Sequence, residues 1–478
     1  MFTAAKPVWP KGRETEINLF LEFSFSLPCC DALLRMTAST AYHVYVNDRF
    51  VDYGPARAGD GHFRVSEYAL APYLSREVNA VRVRVAGYCI SCFEYVRYPS
   101  FLTLEVLCEG QVLLATGRDP IPCQEYAPRL RYTEKYARQR MFTEVFDLSR
   151  KPGPVLAAEV QPEPVYLERR TPYCRNLVIR PEAAYEEGEV RRGGTELPED
   201  YRLFHAALTP EILRFDTLEC HLFREMDRLS YGKGRPVRDA AAPLSAGSYR
   251  AWRLPRNSTG LISLRFRAAE PCEMYFLFDE LLVDGQILNK RSNCINCVKI
   301  AAPAGAHHVL TFEPYTFQYG KLCVAEGSLS EIDLSLVEIA YPTLEAEPLG
   351  DAELDLILES AIETFRQNAT DIFMDCPSRE RAGWLCDSFF TGRSEWTLTG
   401  SNCVEHSFLE NFVRTTGYCV HPPMPEGMFP MCYPSSHDFI GGPVLQTKNY
   451  IPNWAMWLVI ELEEFVRERK GDQALAAL

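Results

Sequence analysis

The chain has 478 residues, 47% apolar and 24% charged, the composition of a globular protein of roughly three domains at about 150 residues each. Fifty Lys and Arg against 64 Asp and Glu leave a net charge of −14, and no basic cluster supplies the cationic face that nucleic acid requires. No run approaches about 18 consecutive apolar residues, so no membrane partner is expected, and the start from Met1 to Pro10 lacks the charged head and apolar stretch of a secretory signal; the expectation is a cytoplasmic protein, or one whose signal has been removed.

From the N-terminus to about residue 340 the pattern has period two. Val44 to Val46, the polar pair Asn47-Asp48, and Phe50-Val51 predict a hairpin. Val81, Val83 and Val85 alternate with Arg82 and Arg84, as in a half-buried antiparallel strand. Phe101 to Leu107, Glu109-Gly110, and Val112 to Leu114 repeat strand, turn, strand. Residues 1–150 therefore read as a β-sandwich, for which carbohydrate binding stays an open option. Residues 151–200, interrupted by seven prolines from Pro152 to Pro198, read as a surface connector. Strand signals resume at Leu261 to Phe266, Met274 to Phe278, Val309 to Phe312 and Ile332 to Ile339, predicting a second sandwich over 201–345.

Beyond Pro348 the period becomes helical. Asp351 is a predicted N-cap for a helix bearing Leu354, Leu358, Ile362 and Phe365 on one face. Further helices are predicted from Asp387 to Leu398, ended by Gly400, and from Cys403 to Thr415, stopped by Gly417. A fourth carries Trp454, Leu458, Leu462 and Phe465, and Asp472 could cap a fifth.

The 17 cysteines are odd in number and scattered, fitting free thiols better than a disulfide framework. The pairs Cys89/Cys92 and Cys294/Cys297 lie too far apart in sequence for a structural zinc site, and His307-His308 has no further ligand at the right spacing; no metal and no cofactor are expected. Phosphate-loop, dinucleotide, nucleophile-elbow and zincin motifs do not occur.

What stands out is Asp375-Cys-Pro-Ser-Arg379-Glu380-Arg381-Ala-Gly-Trp384-Leu-Cys-Asp387, where carboxylates, guanidinium groups and an indole crowd a proline loop leading into a helix. Hydrolysis of a sugar acetal needs one carboxylic acid to protonate the leaving oxygen and a second carboxylate to activate water or attack. Glu380 near Asp375 and Asp387 could have its acidity weakened by burial and like charge, with Arg379 and Arg381 bonding sugar hydroxyls or holding the carboxylates. A helix over 380–387 would put Glu380, Trp384 and Asp387 on one face. A competing reading is an ion-paired, capped helix start with a core tryptophan.

The segment resembles the signature of the α-L-rhamnosidases of glycoside hydrolase family 78, with Cys386 where that pattern has glycine. Weaker similarity runs through Tyr45 to Val51 with Gly54-Pro-Ala56, Thr311 to Tyr315, and Ile451 to Trp454. The resemblance implies two β-sandwich domains followed by the N-terminal part of an (α/α)6 barrel over 346–478. It implies Glu380 as general acid of an inverting hydrolase acting on a rhamnose-containing glycoside. Asp375, Arg379, Trp384 and Asp387 would bind the sugar or tune the acid. Because the helical pattern stops at Leu478 with only about four helices and a fragment, the expectation is an incomplete barrel. Its general base would lie outside this chain, leaving the chain inactive alone. Glu395, Glu405 and Glu426 have no motif that would make them that base. His437, Asp438 and Tyr433 are candidate borders of the sugar site, whereas Trp454 and Trp457 fit the core stripe. Two further readings stay open: a non-catalytic carbohydrate-binding scaffold with a vestigial helical domain, and a hydrolase for another sugar.

Overall fold

The computed structural model describes residues 1–204, 212–415, 429–435 and 451–476. The chain is mostly β-sheet, with helices gathered at its C-terminal end. The first sandwich opposes a five-stranded sheet, ordered Cys123–Glu125, Leu19–Pro28, Val78–Gly87, Tyr42–Val46 and Arg49–Gly54, to a seven-stranded one. Val81, Val83 and Val85 point inward and share one core with Leu34, Met36 and Leu104 of the opposite sheet. The intervening Arg84 faces out onto Glu22 (2.7 Å). Asn47 and Asp48 take φ of 50° and 65°, the left-handed pair that a two-residue hairpin needs.

The proline-rich stretch 151–200 contributes strands to both β units instead of running over the surface throughout. Ala158–Val160 and Val165–Glu168 are the two outer strands of the seven-stranded sheet, and Ala183–Arg192 pairs with the second unit. The prolines fall between these strands and not within them, where no ladder hydrogen bond is lost.

The second β unit is one twelve-stranded sheet folded on itself. Its pivot is the 21-residue strand Ser248–Ala268. The first half pairs with Tyr315–Glu326; from Gly260 onward the partners are Gly305–Leu310 and Ser328–Glu338. A Cβ on Gly260 would lie 2.1 Å from the Val337 carbonyl oxygen, so only glycine admits this crossing. A short helix, α1 (Leu222–Met226), closes one end of the core.

The C-terminal helices are α2 (Ala352–Asn368), α3 (Asp387–Thr399), α4 (Cys403–Arg414), α5 (Pro452–Arg467) and α6 (Gln473–Ala476). Asp351 caps α2 through the N–H groups of Glu353 and Leu354, and Gly400 ends α3 with φ 65°. The predicted stop Gly417 lies outside the described residues. Among the described residues no helix is long and apolar enough to cross a membrane.

These helices sit on both β units through buried ion pairs. Arg64, fully buried on strand His62–Ala69, donates to Glu410 (2.8 Å), the Ser407 carbonyl (3.1 Å) and Asn411 (3.0 Å) of α4. Arg366 of α2 meets Glu338 of the second unit (2.9 Å).

Candidate active site

The motif folds as two tight turns rather than as a helix, which corrects the 380–387 expectation. Residues 377–380 form a turn, 381–383 belong to neither helix nor strand, Trp384 bridges to Cys432, and α3 starts only at Asp387. Two features prevent an earlier start. Arg381 and Cys386 have φ of 54° and 76°, incompatible with a right-handed helix. The chain also pairs sideways: Leu385 N–H bonds to the Met431 carbonyl (2.9 Å) and Tyr433 N–H to the Gly383 carbonyl (3.0 Å). A Cβ on Gly383 would lie 2.7 Å from the Tyr433 carbonyl oxygen, which accounts for that glycine in the motif.

Glu380 is buried, at 3% exposure, and its Oε1 accepts from Arg379 Nη2 (2.5 Å). Arg379 itself is nearly half exposed, at 45% of its side chain, so the pair joins the interior to the surface. Asp375, Cys376 and Glu380 bring one ligand-type atom each within 4.8 Å of the others. Asp375 Oδ1 is buried with no hydrogen-bond partner. Burial, and then the charge of Glu380, push the Asp375 carboxyl up to about 8. Near neutral pH Asp375 therefore keeps its proton. Asp387 opens α3 with an exposed side chain whose carboxyl is partly shielded; that burial, then Glu380, raise it above the usual range.

Trp384 is half-buried, its indole edge-on to Phe93 at 6.2 Å between centroids, in a cluster with Ala382, Met431 and Cys432. Arg381 departs from the sugar-facing option: it is 3% exposed and donates to Glu94 Oε1 (2.8 Å) of the first sandwich. Tyr433 is anchored as well, its hydroxyl accepting from the Asp60 N–H (2.5 Å) and from Thr415 (3.1 Å). His437, Asp438 and Glu426 lie outside the described residues.

The remaining carboxylate candidates have structural work. Glu395 accepts the N–H groups of Val404 and Glu405 (2.9 Å each) and thereby caps α4. Glu405 pairs with Arg469 (2.6 and 2.7 Å). Trp457 packs on Phe389 (4.7 Å) and Trp454 joins the helical core. The cysteine pairs Cys89/Cys92 and Cys294/Cys297 are buried free thiols, and His308 bonds Ser263 (3.0 Å) within a strand pair.

Residues 350–476 match the family model of the bacterial alpha-L-rhamnosidase six-hairpin glycosidase domain. The C-terminal region is thus similar to that glycosidase domain. The fold of the chain is similar to the GH78 family rhamnosidase of Bacillus sp. GL1 (TM-score 0.73, 16% identity, covering 98% of this chain and 67% of that one). It is similar too to the α-L-rhamnosidase from Dictyoglumus thermophilum (TM-score 0.57, 14% identity, 97% and 48%). A third is the Streptomyces avermitilis α-L-rhamnosidase complexed with L-rhamnose (TM-score 0.53, 16% identity, 88% and 37%). At these identities the likeness is one of fold. The chain spans about two thirds of the Bacillus protein and about half or less of the other two. No curated protein matches it.

Sequence reasoning missed four residues of this rhamnosidase-like site. Asp371, four positions before the motif, is clasped by Arg57 through Nε (2.9 Å) and Nη2 (2.7 Å); although burial opposes it, Arg57 holds that carboxyl well below the usual range. Glu94 and Arg140 join Arg381 in the same buried network. A charged residue inside the aromatic run Tyr88 to Tyr98 was the available signal for Glu94. Nothing local marks Arg140.

Proposed function

We propose that the protein is a glycoside hydrolase that removes terminal α-L-rhamnose from glycosides with inversion, Glu380 acting as general acid. The observation that carries this reading is the placement of the buried Glu380 carboxyl within 4.8 Å of Asp375, with the half-exposed Arg379 as its cation. The proton passes to the glycosidic oxygen as the C–O bond breaks, and a base-activated water closes on the opposite face of the sugar. Asp375 holds the proton within the pair, Arg379 and Asp387 bond sugar hydroxyls, and Trp384 lines the ring.

Asp375 is not the base of such a mechanism. Its nearest ligand atom lies within 4.8 Å of Glu380's, whereas an inverting pair stands about 6.5–9.5 Å apart to admit the water. Glu395 and Glu405 are committed elsewhere, so neither serves as the base. In this reading α2 to α6 belong to the first part of an (α/α)6 barrel, with sandwiches over 1–150 and 201–345 joined by 151–200.

The test, made on the protein as encoded in full because the base is not assigned among these carboxylates, is hydrolysis of an aryl α-L-rhamnoside, with the anomer first formed read by proton NMR. The expected product from the α-glycoside is β-L-rhamnose, and Glu380→Gln should lower the rate at least about 100-fold with a poor leaving group. A folded Glu380→Gln protein with undiminished activity would overturn the assignment.

A further inference from the structure

The turn that carries Glu380 is gripped on both sides by side chains from the first 150 residues. Two residues before Glu380, the Ser378 carbonyl accepts from Arg140 Nη1 (2.9 Å). One residue after it, the Arg381 carbonyl accepts from Arg57 Nη1 (2.6 Å), and the Arg381 side chain donates to Glu94 Oε1 (2.8 Å). The other oxygen of Glu94 accepts from Arg140 Nε (3.2 Å). Glu94 thus links the two grips, and the neighbouring Phe93 supports Trp384. All three gripping side chains are at most 4% exposed. Arg381 keeps its φ of 54°, a backbone conformation that a non-glycine residue holds only when its surroundings fix it.

We infer that Glu94 is a positioning residue for the acid: with Arg140 and Arg57 it fixes the 377–381 turn, and through it the carboxyl of Glu380. The first sandwich then builds the floor of the catalytic site rather than serving only as an accessory domain. This inference rests on Glu380 being the general acid.

Two variants of the full chain test it: Glu94→Gln, which removes the charge, and Glu94→Asp, which keeps the charge but withdraws it by one methylene. The first readout is amide hydrogen exchange over 375–387, with strand Leu19–Pro28 as internal reference. The expected result is exchange roughly tenfold faster in the loop with the reference unchanged. The second readout compares aryl α-L-rhamnosides with poor and good leaving groups, since only the poor one needs the acid. Hydrolysis of the poor substrate should fall roughly 100-fold and that of the good one by no more than about threefold. Unchanged loop exchange, or equal slowing of both substrates, would overturn the inference. If Glu94→Gln loosens the reference strand, Glu94→Asp decides. Full activity in Glu380→Gln would refute the acid assignment alone and leave the exchange result standing.

Discussion

The cluster of Glu134, Asp200 and His221 and the cluster of Asp375, Cys376 and Glu380 each bring three ligand-type atoms within 4.8 Å, yet their charges are handled in opposite ways. In the first, Arg202 is buried and donates to Asp200 (2.7 Å) and to Glu134, and its guanidinium lies 3.7 Å from the Phe223 ring centroid. The Phe223 N–H completes Glu134 (2.7 Å). In the second, the cation is the half-exposed Arg379, and Asp375 Oδ1 has no partner. Similar groups make a closed structural knot in one place and an open proton-holding site in the other. Acidic composition does not separate the two; whether the charges are compensated inside the cluster does.

The largest expected contrast comes from removing the two cations. Arg202→Met leaves Glu134 and Asp200 buried without their guanidinium and should cost about 3–5 kcal/mol, read as a shift in the urea midpoint. A shift below about 1 kcal/mol would mean that the knot is not the stabilising unit described. Asp375→Asn acts through pH. The Asp375 carboxyl is raised to about 8 from an ordinary value near 4, so between those pH values the native state binds more protons than the unfolded one and stability falls as pH rises. Removing the group removes that slope: the variant's urea midpoint relative to wild type should rise from pH 5 to pH 8. Equal differences at the two pH values would dismiss Asp375 as the proton holder.

Cys386 offers a smaller test. With φ 76° and ψ −56° it occupies the strained γ-turn region, at the position where the family pattern has glycine. Cys386→Gly should stabilise the protein by about 1 kcal/mol, measured by thermal unfolding, and destabilisation would show that the thiol contributes packing that the backbone argument omits. Smallest of all, Arg379→Met should change stability by less than about 1 kcal/mol, because the pair is half in water. A loss as large as that of Arg202→Met would erase the contrast between the clusters.

Much of this architecture was legible because it rests on periodicity and local chemistry. The Val81/Val83/Val85 alternation, the Asn47-Asp48 turn and the Asp351 cap each depend on a few neighbouring residues. In the connector the prolines do mark breaks, but the short segments between them, Ala158–Val160 and Val165–Glu168, pair with strands far away in sequence, which local composition does not report. The twelve-stranded second unit was not foreseen as a single sheet, since its pivot at Gly260 is a close approach to a residue 77 positions away. In the candidate site, the motif offered Glu380, Asp375 and Trp384 by type. It could not reveal that Arg381 turns inward to Glu94, a partner 287 positions distant. The expected helix over 380–387 failed for a related reason: spacing alone does not report the sideways pairing with 431–433 that holds the chain out of a helix.

The most direct measurement is amide hydrogen exchange of the whole chain with and without L-rhamnose, D-glucose serving as control. The account predicts that L-rhamnose alone slows exchange over 375–387 and leaves the outer strands of the two sandwiches unchanged. Protection confined to a sandwich surface, or none at 375–387 at saturating sugar, would contradict it.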